Sequence, residues 1–583
     1  MQLKRPLGTV VVACVILAIA PMRAARDEGV SSKTGLVVCT SAPACDAGAA
    51  VLARGGNAVD AAVATAFALA VTHPSAGNIG GGGFMIVRTP EGKTAAFDYR
   101  EKAPAKSTRT MYLDQDGKID RSLTAEGYLA PGVPGTVRGL ARAHRRFGKL
   151  AWKDVVMPAV DLAEQGFVIS DALARSLNGQ LAGAMGHFQA SVEAYGKPGG
   201  GTWSGGDRLV LTDLAKTLRS IALDGPDAFY KGWIADAIAE DMNAHGGLIT
   251  KADLAAYQAK ERKPLRGHYR GYEVISVPPP SSGGILLLEA LNVLESYGLA
   301  AKGRDSAETL HLEIEAMRRA YLDRARYLGD PDFVRVPIAK LTSKKYAKTL
   351  VATIEPSRAT SSIELGKDIV TVATATEPDE TTHFSVVDRD GMAVANTYTL
   401  EGGFGSRVVV KGAGFLLNNE MGDFNRKPGE TNIQGDIGTP PNLIDPGKRM
   451  LSSMTPAIVV KDGTVVLITG SPGGRTIPNS VLSVVLGVTT FNMNVREAVD
   501  AFRIHHQWLP DRVQIEQDGA SDETVQQLRA MGHTVTVQGR QGDANSIVLD
   551  SAGVAWGAND RRSPDGKVSV PGEARLTSTA GRH

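Results

Sequence analysis

A chain of 583 residues is about four times a ~150-residue domain, so it holds several domains or one large one and is no short accessory module. With 43% hydrophobic and 22% charged residues it buries an ordinary globular core, which excludes disorder along its whole length. Lys plus Arg total 64 against 62 Asp plus Glu, a net charge of +2, so there is no basic stripe of the kind that nucleic-acid phosphates require.

Lys4 and Arg5 precede a mostly apolar stretch over residues 7–20, which breaks at Pro21 and reaches small residues at Ala24 and Ala25. This pattern predicts a secretory signal peptide over residues 1–24 and a secreted or periplasmic protein; an uncleaved anchor is the alternative. Cleavage there leaves Cys39 and Cys45, either bridged or as two buried thiols. No CxxC, HExxH, GxSxG, GxGxxG or P-loop pattern occurs, so no metal ion or cofactor is expected.

An apolar strand over 36–39 leads into a helix over 46–54, closed by Gly55 and Gly56. Asn57 is the expected N-cap of a second, Ala- and Val-rich helix over 58–72. Residues 131–350 read mainly as helices with breaks at Gly132, Gly166, Gly199 to Gly201 and Pro278 to Pro280. From Thr381 the period becomes that of strands, a last helix is expected over 522–531, and the tail after Gly566 is expected to be loose. Without repeats or a Pro/Ser-rich linker, the mature chain reads as one interlocked unit. Its 65 glycines, about 11% against a usual ~7%, mark special backbone shapes rather than low complexity.

Three hairpins bring chemistry together. TTHFSVVDRDGMAVANTYTL, residues 381–400, turns at Arg389-Asp390-Gly391; a three-residue loop pairs Asp388 with Met392 and so sets Thr381 opposite Thr399. Opposed residues have Cβ atoms only ~5 Å apart, within reach of a hydroxyl–hydroxyl hydrogen bond. The second hairpin, 454–469, turns at Lys461-Asp462-Gly463, and the same arithmetic sets Ser453 opposite Ser471. Ser452 and Ser453 then lie beside Ser471-Pro472-Gly473-Gly474, where consecutive small residues can aim two N–H donors at one oxygen. In the third, strands over 84–88 and 94–99 return Arg100 beside Gly80 to Gly83, with its planar fork available to a carboxylate. A fourth segment puts Glu420 and Asp423 on one face of a helical turn, suited to an ammonium group. The Gly- and Pro-rich loop over 425–451 that follows is long enough for a lid.

In this order GGNAVDAA (55–62), IGGGGFM (79–85), DYRE (98–101), TTHFSV (381–386), LLNNEMGDF (416–424), LSSM (451–454) and GSPGG (470–474) resemble the γ-glutamyltranspeptidases of the N-terminal nucleophile hydrolase superfamily, from about Gly35 to Gly566. The resemblance implies an α+β fold, a four-layer αββα sandwich formed jointly by two subunits. It implies self-cleavage between Glu380 and Thr381 into a large subunit, 25–380, and a small subunit, 381–583, that stay paired. Thr381 is then the nucleophile, activated by its own α-amine, and His383 is structural. Gly473 and Gly474 hold the oxyanion, and Thr399 assists beside the nucleophile. Arg100, Ser452 and Ser453 bind the substrate α-carboxylate; Glu420 and Asp423 bind its α-ammonium.

Glu401 stands where many members have Asn, which brings three carboxylates to one ammonium and raises one of their pKa values in the empty site. The implied substrates are glutathione and other γ-glutamyl compounds, with water or an amino acid or peptide as acceptor. The competing readings are a glutaryl-type β-lactam acylase of the same superfamily, and a secreted binding protein that never processes.

Overall fold

The computed structural model describes residues 27–371, 381–517 and 519–573. The signal segment and Glu380 therefore lie outside the described residues, and no described helix is long and apolar enough to cross a membrane.

Two seven-stranded antiparallel sheets organise the chain. One runs, edge to edge, Lys567–Ser569, Gly35–Cys39, Thr382–Asp388, Ala393–Thr399, Gly82–Arg88, Thr94–Asp98 and Lys260–Arg262. The other runs Val30–Ser32, Ala555–Ala558, Ser546–Leu549, Thr464–Thr469, Ala457–Lys461, Tyr272–Ser276 and Leu265–Tyr269. Each sheet takes strands from both sides of residue 381, so the two segments share two hydrogen-bonded ladders.

Side chains alternate across the first sheet, as a period of two requires. Val37, Met85, Val87, Val386 and Val394 pack with helices α1 (Ala42–Ala53) and α2 (Ala58–Thr72). Leu36, Val38, Ile86, Val387 and Ala395 point the other way, into a core shared with Ile458, Leu467 and Ile468 of the second sheet and with helices Gly283–Leu294, Ala307–Tyr327 and Ile477–Thr489.

The predicted second helix begins and ends where expected. Asn57 caps it by accepting from the Val59 and Asp60 N–H groups while Asp60 accepts from Asn57. The N–H of Ala58 donates to Asp388, whose carboxylate also accepts from Asp390 and Met392 in the hairpin turn. One buried carboxylate thus joins the start of α2 to the central hairpin. The first helix starts four residues early, at Ala42, because Ser41 takes the extended N-cap conformation and Pro43 fits the first turn. Cys39 and Cys45 form a disulfide across this strand-to-helix corner, settling the open alternative.

Three expectations need correction. The region read as helical also carries strands Lys260–Arg262, Leu265–Tyr269 and Tyr272–Ser276, which extend both sheets. The tail after Gly566 is not loose at its start: Lys567–Ser569 pairs with Gly35–Cys39, and Lys567 and Ser569 both bind Asp46 of α1. The second hairpin turns on two residues, Asp462 and Gly463, both at positive φ, with a bulge between Val459 and Val460. Ala457 therefore pairs with Thr469, and the ladder ends before Ser453. Ala457 to Val459 are offset by two residues from the expected register, which keeps their side chains on the expected face, but Ser453 does not pair with Ser471.

Candidate active site

The first hairpin folds as expected: Asp388 N–H donates to Met392, Gly391 adopts φ +87°, and Thr382 pairs with Tyr398. The same register carried one residue further sets Thr381 across from Thr399 at the end of the two central strands. Both are buried, Thr381 8% and Thr399 2% exposed. The Thr399 hydroxyl oxygen accepts from the Glu401 N–H at 2.8 Å. The Thr399 carbonyl accepts from Asn78 Nδ2 at 2.9 Å, and Asn78 Oδ1 accepts from the Gly81 N–H and the Thr136 hydroxyl.

This explains the glycine run. A Cβ on Gly81 meets the Thr399 carbonyl oxygen at 2.1 Å, and one on Gly80 meets the Leu416 carbonyl oxygen at the same distance. Asn78 positions Thr399 although sequence reasoning missed it; its place one residue before IGGGGFM was the available signal.

His383, expected to be structural, is fully buried. It bridges Thr397 and Ser385 at 2.8 and 3.1 Å, lies against Gly470, and is pushed down to about 3 by burial, which keeps it neutral.

The GSPGG loop follows strand Thr464–Thr469 and precedes helix Ile477–Thr489. Gly473 and Gly474 both take positive φ, +121° and +51°. Among the described residues neither of their N–H groups donates to a protein acceptor. Two donors at a helix N-terminus form a site for developing negative charge. Behind the loop, Ser471 Oγ accepts from the Asp543 N–H, and Thr476 bonds back to the Gly473 carbonyl. A Cβ on Gly473 lies 2.4 Å from Thr476 Oγ1. Gly473→Ala is therefore expected to lower kcat by about 10²- to 10³-fold with little change in KM, measured by steady-state kinetics on the processed protein.

Ser452 and Ser453 lie at the mouth of the second sheet, held from a direction the sequence did not reveal. Ser452 N–H donates to the Pro280 carbonyl, Ser282 donates twice to the Ser452 carbonyl, and Arg324 reaches Ser282 and Ser453. The 278–284 segment, read only as a turn, is thus the floor beneath both serines.

Arg100 is 1% exposed and gathers the acids. Its Nη1 lies 2.5 Å from Glu420 and 3.5 Å from Glu101, its Nη2 pairs with Asp423, and its Nε donates to the Met450 carbonyl. Glu420 and Asp423 share the expected helical turn, a 3₁₀ turn over Glu420–Asp423. The fork assigned to a substrate carboxylate is thus engaged by the carboxylates assigned to its ammonium. Glu101 was not singled out by the sequence, yet it is fully buried against Gly82.

Burial pushes Glu101 up to about 8 against the pull of Arg100. Burial also raises Glu420 well above the usual carboxylate range, opposed by Arg100 and reinforced by Glu101, Asp423 and Glu401. The expected rise occurs in direction, but desolvation outweighs repulsion as its cause. The 425–451 loop is pinned beside this cluster: Arg121 and Arg426 both bind Asp436, Arg475 donates to the Gly435 carbonyl, and Thr371 N–H donates to Thr431.

One trio of metal-ligating types occurs among the described residues, His311, Glu315 and His533. Arg319 and the Thr360 hydroxyl donate to Glu315 Oε2, while Arg318 and the Thr360 N–H donate to Oε1, so the carboxylate serves as an ion-pair hub.

Two buried threonines at the end of the central hairpin, a two-donor glycine loop and a buried arginine–carboxylate cluster are the groups that acyl transfer through a hydroxyl nucleophile needs. Residues 44–570 match the family model described as Gamma-glutamyltranspeptidase. The chain is 48% identical over 538 residues to the glutathione hydrolase proenzyme of Escherichia coli K12, covering 92% of each. It is 37% identical over 553 residues to the Acylase ACY 1 proenzyme of a Pseudomonas strain, SE83, covering 93% and 94%. Among solved structures, cephalosporin acylase from Bacillus halodurans superposes with a TM-score of 0.81 at 28% identity, covering 95% of this chain and 99% of that one. The γ-glutamyltranspeptidase of Helicobacter pylori matches with a TM-score of 0.54 at 44% identity, covering 58% of this chain and 95% of that one. The chain belongs to the γ-glutamyltranspeptidase family.

Proposed function

We propose that the protein is an autoprocessed γ-glutamyltransferase and glutathione hydrolase. It cuts itself between Glu380 and Thr381 and transfers γ-glutamyl groups from glutathione and related amides to water or to amino acid or peptide acceptors. Scission gives Thr381 a free α-amine with a pKa of ~7.7–8.0, able to take the proton from its own hydroxyl near neutral pH. The hydroxyl attacks the γ-amide carbonyl, the Gly473 and Gly474 N–H groups hold the oxyanion, and the leaving amine takes the proton. Thr399 donates to the nucleophile oxygen and steadies it. The γ-glutamyl ester on Thr381 then passes to water or to an acceptor amine.

We read the two packed sheets with their helices as the four-layer αββα sandwich of N-terminal nucleophile hydrolases. Strands from 27–371 and from 381–573 interleave in both sheets, which supports subunits 25–380 and 381–583 staying paired after scission. Export to the periplasm or beyond rests on the residues 1–24 pattern alone.

The observation that carries the reading is Arg100 gathered with Glu101, Glu420 and Asp423, and with Glu401 electrostatically linked to Glu420, at the end of the central hairpin. Arg100 already partners the carboxylates, so they do not by themselves exclude a substrate lacking an ammonium group. Glu101 and Glu420, held protonated by burial in the empty site, can ionise against an incoming ammonium group, which favours a substrate that brings a cation.

The similarity to acylases makes a glutaryl acylase the second reading. γ-Glutamyl-p-nitroanilide and glutaryl-p-nitroanilide differ only in the α-amine and separate the two. The proposed function gives kcat/KM at least about 10²-fold higher for the γ-glutamyl compound, since its ammonium group makes charge-assisted hydrogen bonds to the carboxylates that the glutaryl compound cannot make. Equal or reversed preference supports the acylase.

A further inference from the structure

Thr40 lies outside every motif described above, at the corner between strand Gly35–Cys39 and helix α1, yet its hydroxyl lies 2.8 Å from that of Thr382, the residue after the nucleophile. Both side chains are buried, 2% and 0% exposed.

The sheet explains why this contact counts. On one side, strand Thr382–Asp388 is paired along its length with Ala393–Thr399. On the other, its pairing with Gly35–Cys39 stops at Ser385 opposite Val38, leaving Thr382, His383 and Phe384 without a ladder partner there. The Thr40–Thr382 hydroxyl pair spans that gap at the end nearest Thr381.

The corner carrying Thr40 is itself fixed. The Cys39–Cys45 disulfide closes it between the end of the strand and the first turn of α1, with both cysteines fully buried. The neighbouring Ser41 hydroxyl donates to Thr72, which donates to the Ala68 carbonyl of α2.

We propose that Thr40 is a positioning residue for the nucleophile, anchoring Thr382 through its hydroxyl, and that the Cys39–Cys45 disulfide serves catalysis by holding Thr40 in place. The inference rests on Thr381 being the nucleophile. A displaced Thr382 moves the attacking oxygen relative to the oxyanion donors, a change felt in kcat rather than in KM, because the cluster around Arg100 is untouched.

The test uses the processed two-chain enzyme and γ-glutamyl-p-nitroanilide. Thr40→Val keeps the shape and removes the hydroxyl; its kcat is expected to fall about tenfold with KM within about twofold of wild type. Thr40→Ser restores the hydroxyl and is expected to return kcat to within about threefold. Replacing both cysteines by alanine is expected to lower kcat similarly, and adding Thr40→Val to that variant to cost little more, because both changes act through one contact.

Thr40→Val at wild-type kcat, Thr40→Ser no better than Thr40→Val, or strictly multiplicative losses with the cysteine variant each overturn the proposal. If the cysteine variant does not fold, the two threonine variants decide. Wild-type turnover in the same assay tests the functional reading separately: an inactive wild type sinks that reading, whereas only the variant ratios bear on Thr40.

Discussion

Thr381→Ala is expected to leave the protein as one continuous chain and to reduce γ-glutamyl-p-nitroanilide turnover by at least about 10⁴-fold, the loss typical of removing an acyl-transfer nucleophile. The substitution removes the hydroxyl while leaving strand Thr382–Asp388, its ladders and both cores intact. The folded protein should therefore be recovered in good yield. On a denaturing gel, wild type gives pieces of roughly 37 and 21 kDa from 61.4 kDa scaled by length, and Thr381→Ala gives one band near the full mass. Thr381→Ser keeps a hydroxyl and is expected to process and turn over, more slowly. A processed, active Thr381→Ala protein contradicts the assignment of the nucleophile.

Arg100→Met is expected to damage both binding and stability. The guanidinium is in contact with Glu101, Glu420 and Asp423, and its removal leaves the fully buried Glu101 and Glu420 without their cation partner, a change that typically costs about 3–5 kcal/mol. KM for γ-glutamyl-p-nitroanilide should rise at least about 10²-fold, and Arg100→Lys should fall between, since it keeps the charge but loses the planar fork.

The sign of the pH dependence follows from the raised carboxyls. A carboxyl whose folded pKa exceeds its unfolded value contributes stability that is fully present below the unfolded pKa and lost as pH rises through the folded one. With Glu101 at about 8 and Glu420 raised, that loss begins above the ordinary glutamate range and extends past neutrality in the wild type. Without Arg100 the carboxyls resist ionisation more strongly. The difference in unfolding midpoint between wild type and Arg100→Met should therefore widen from pH 5 to pH 9. A difference independent of pH contradicts the arginine–carboxylate account.

The parts of the site visible in the sequence are those set by local rules. The central hairpin was legible because Arg389-Asp390-Gly391 fits a three-residue loop, and one pairing then fixes every other. Lys461-Asp462-Gly463 resembles it, but Asp462 itself adopts a positive φ and shortens the turn, a choice the local sequence leaves open. Asn57 was legible because a cap and its helix are neighbours.

Contacts between distant segments were not. The support of Ser452 by Ser282, of Thr399 by Asn78 and of Thr382 by Thr40 joins residues 170 to 342 positions apart. The edge strand Lys567–Ser569 shows the same limit: Lys567 is held at the sheet edge by Asp46, 521 positions away in the chain. Glu101 was not singled out because its surroundings are set by distant segments: it is buried here against Arg100 and the glycine floor.

The most direct test of the account is N-terminal sequencing of the smaller fragment of the purified, active enzyme. The account predicts a single sequence beginning TTHFSV, with activity appearing as that fragment accumulates. Full activity in an uncut chain, or a fragment beginning at any other residue, contradicts it.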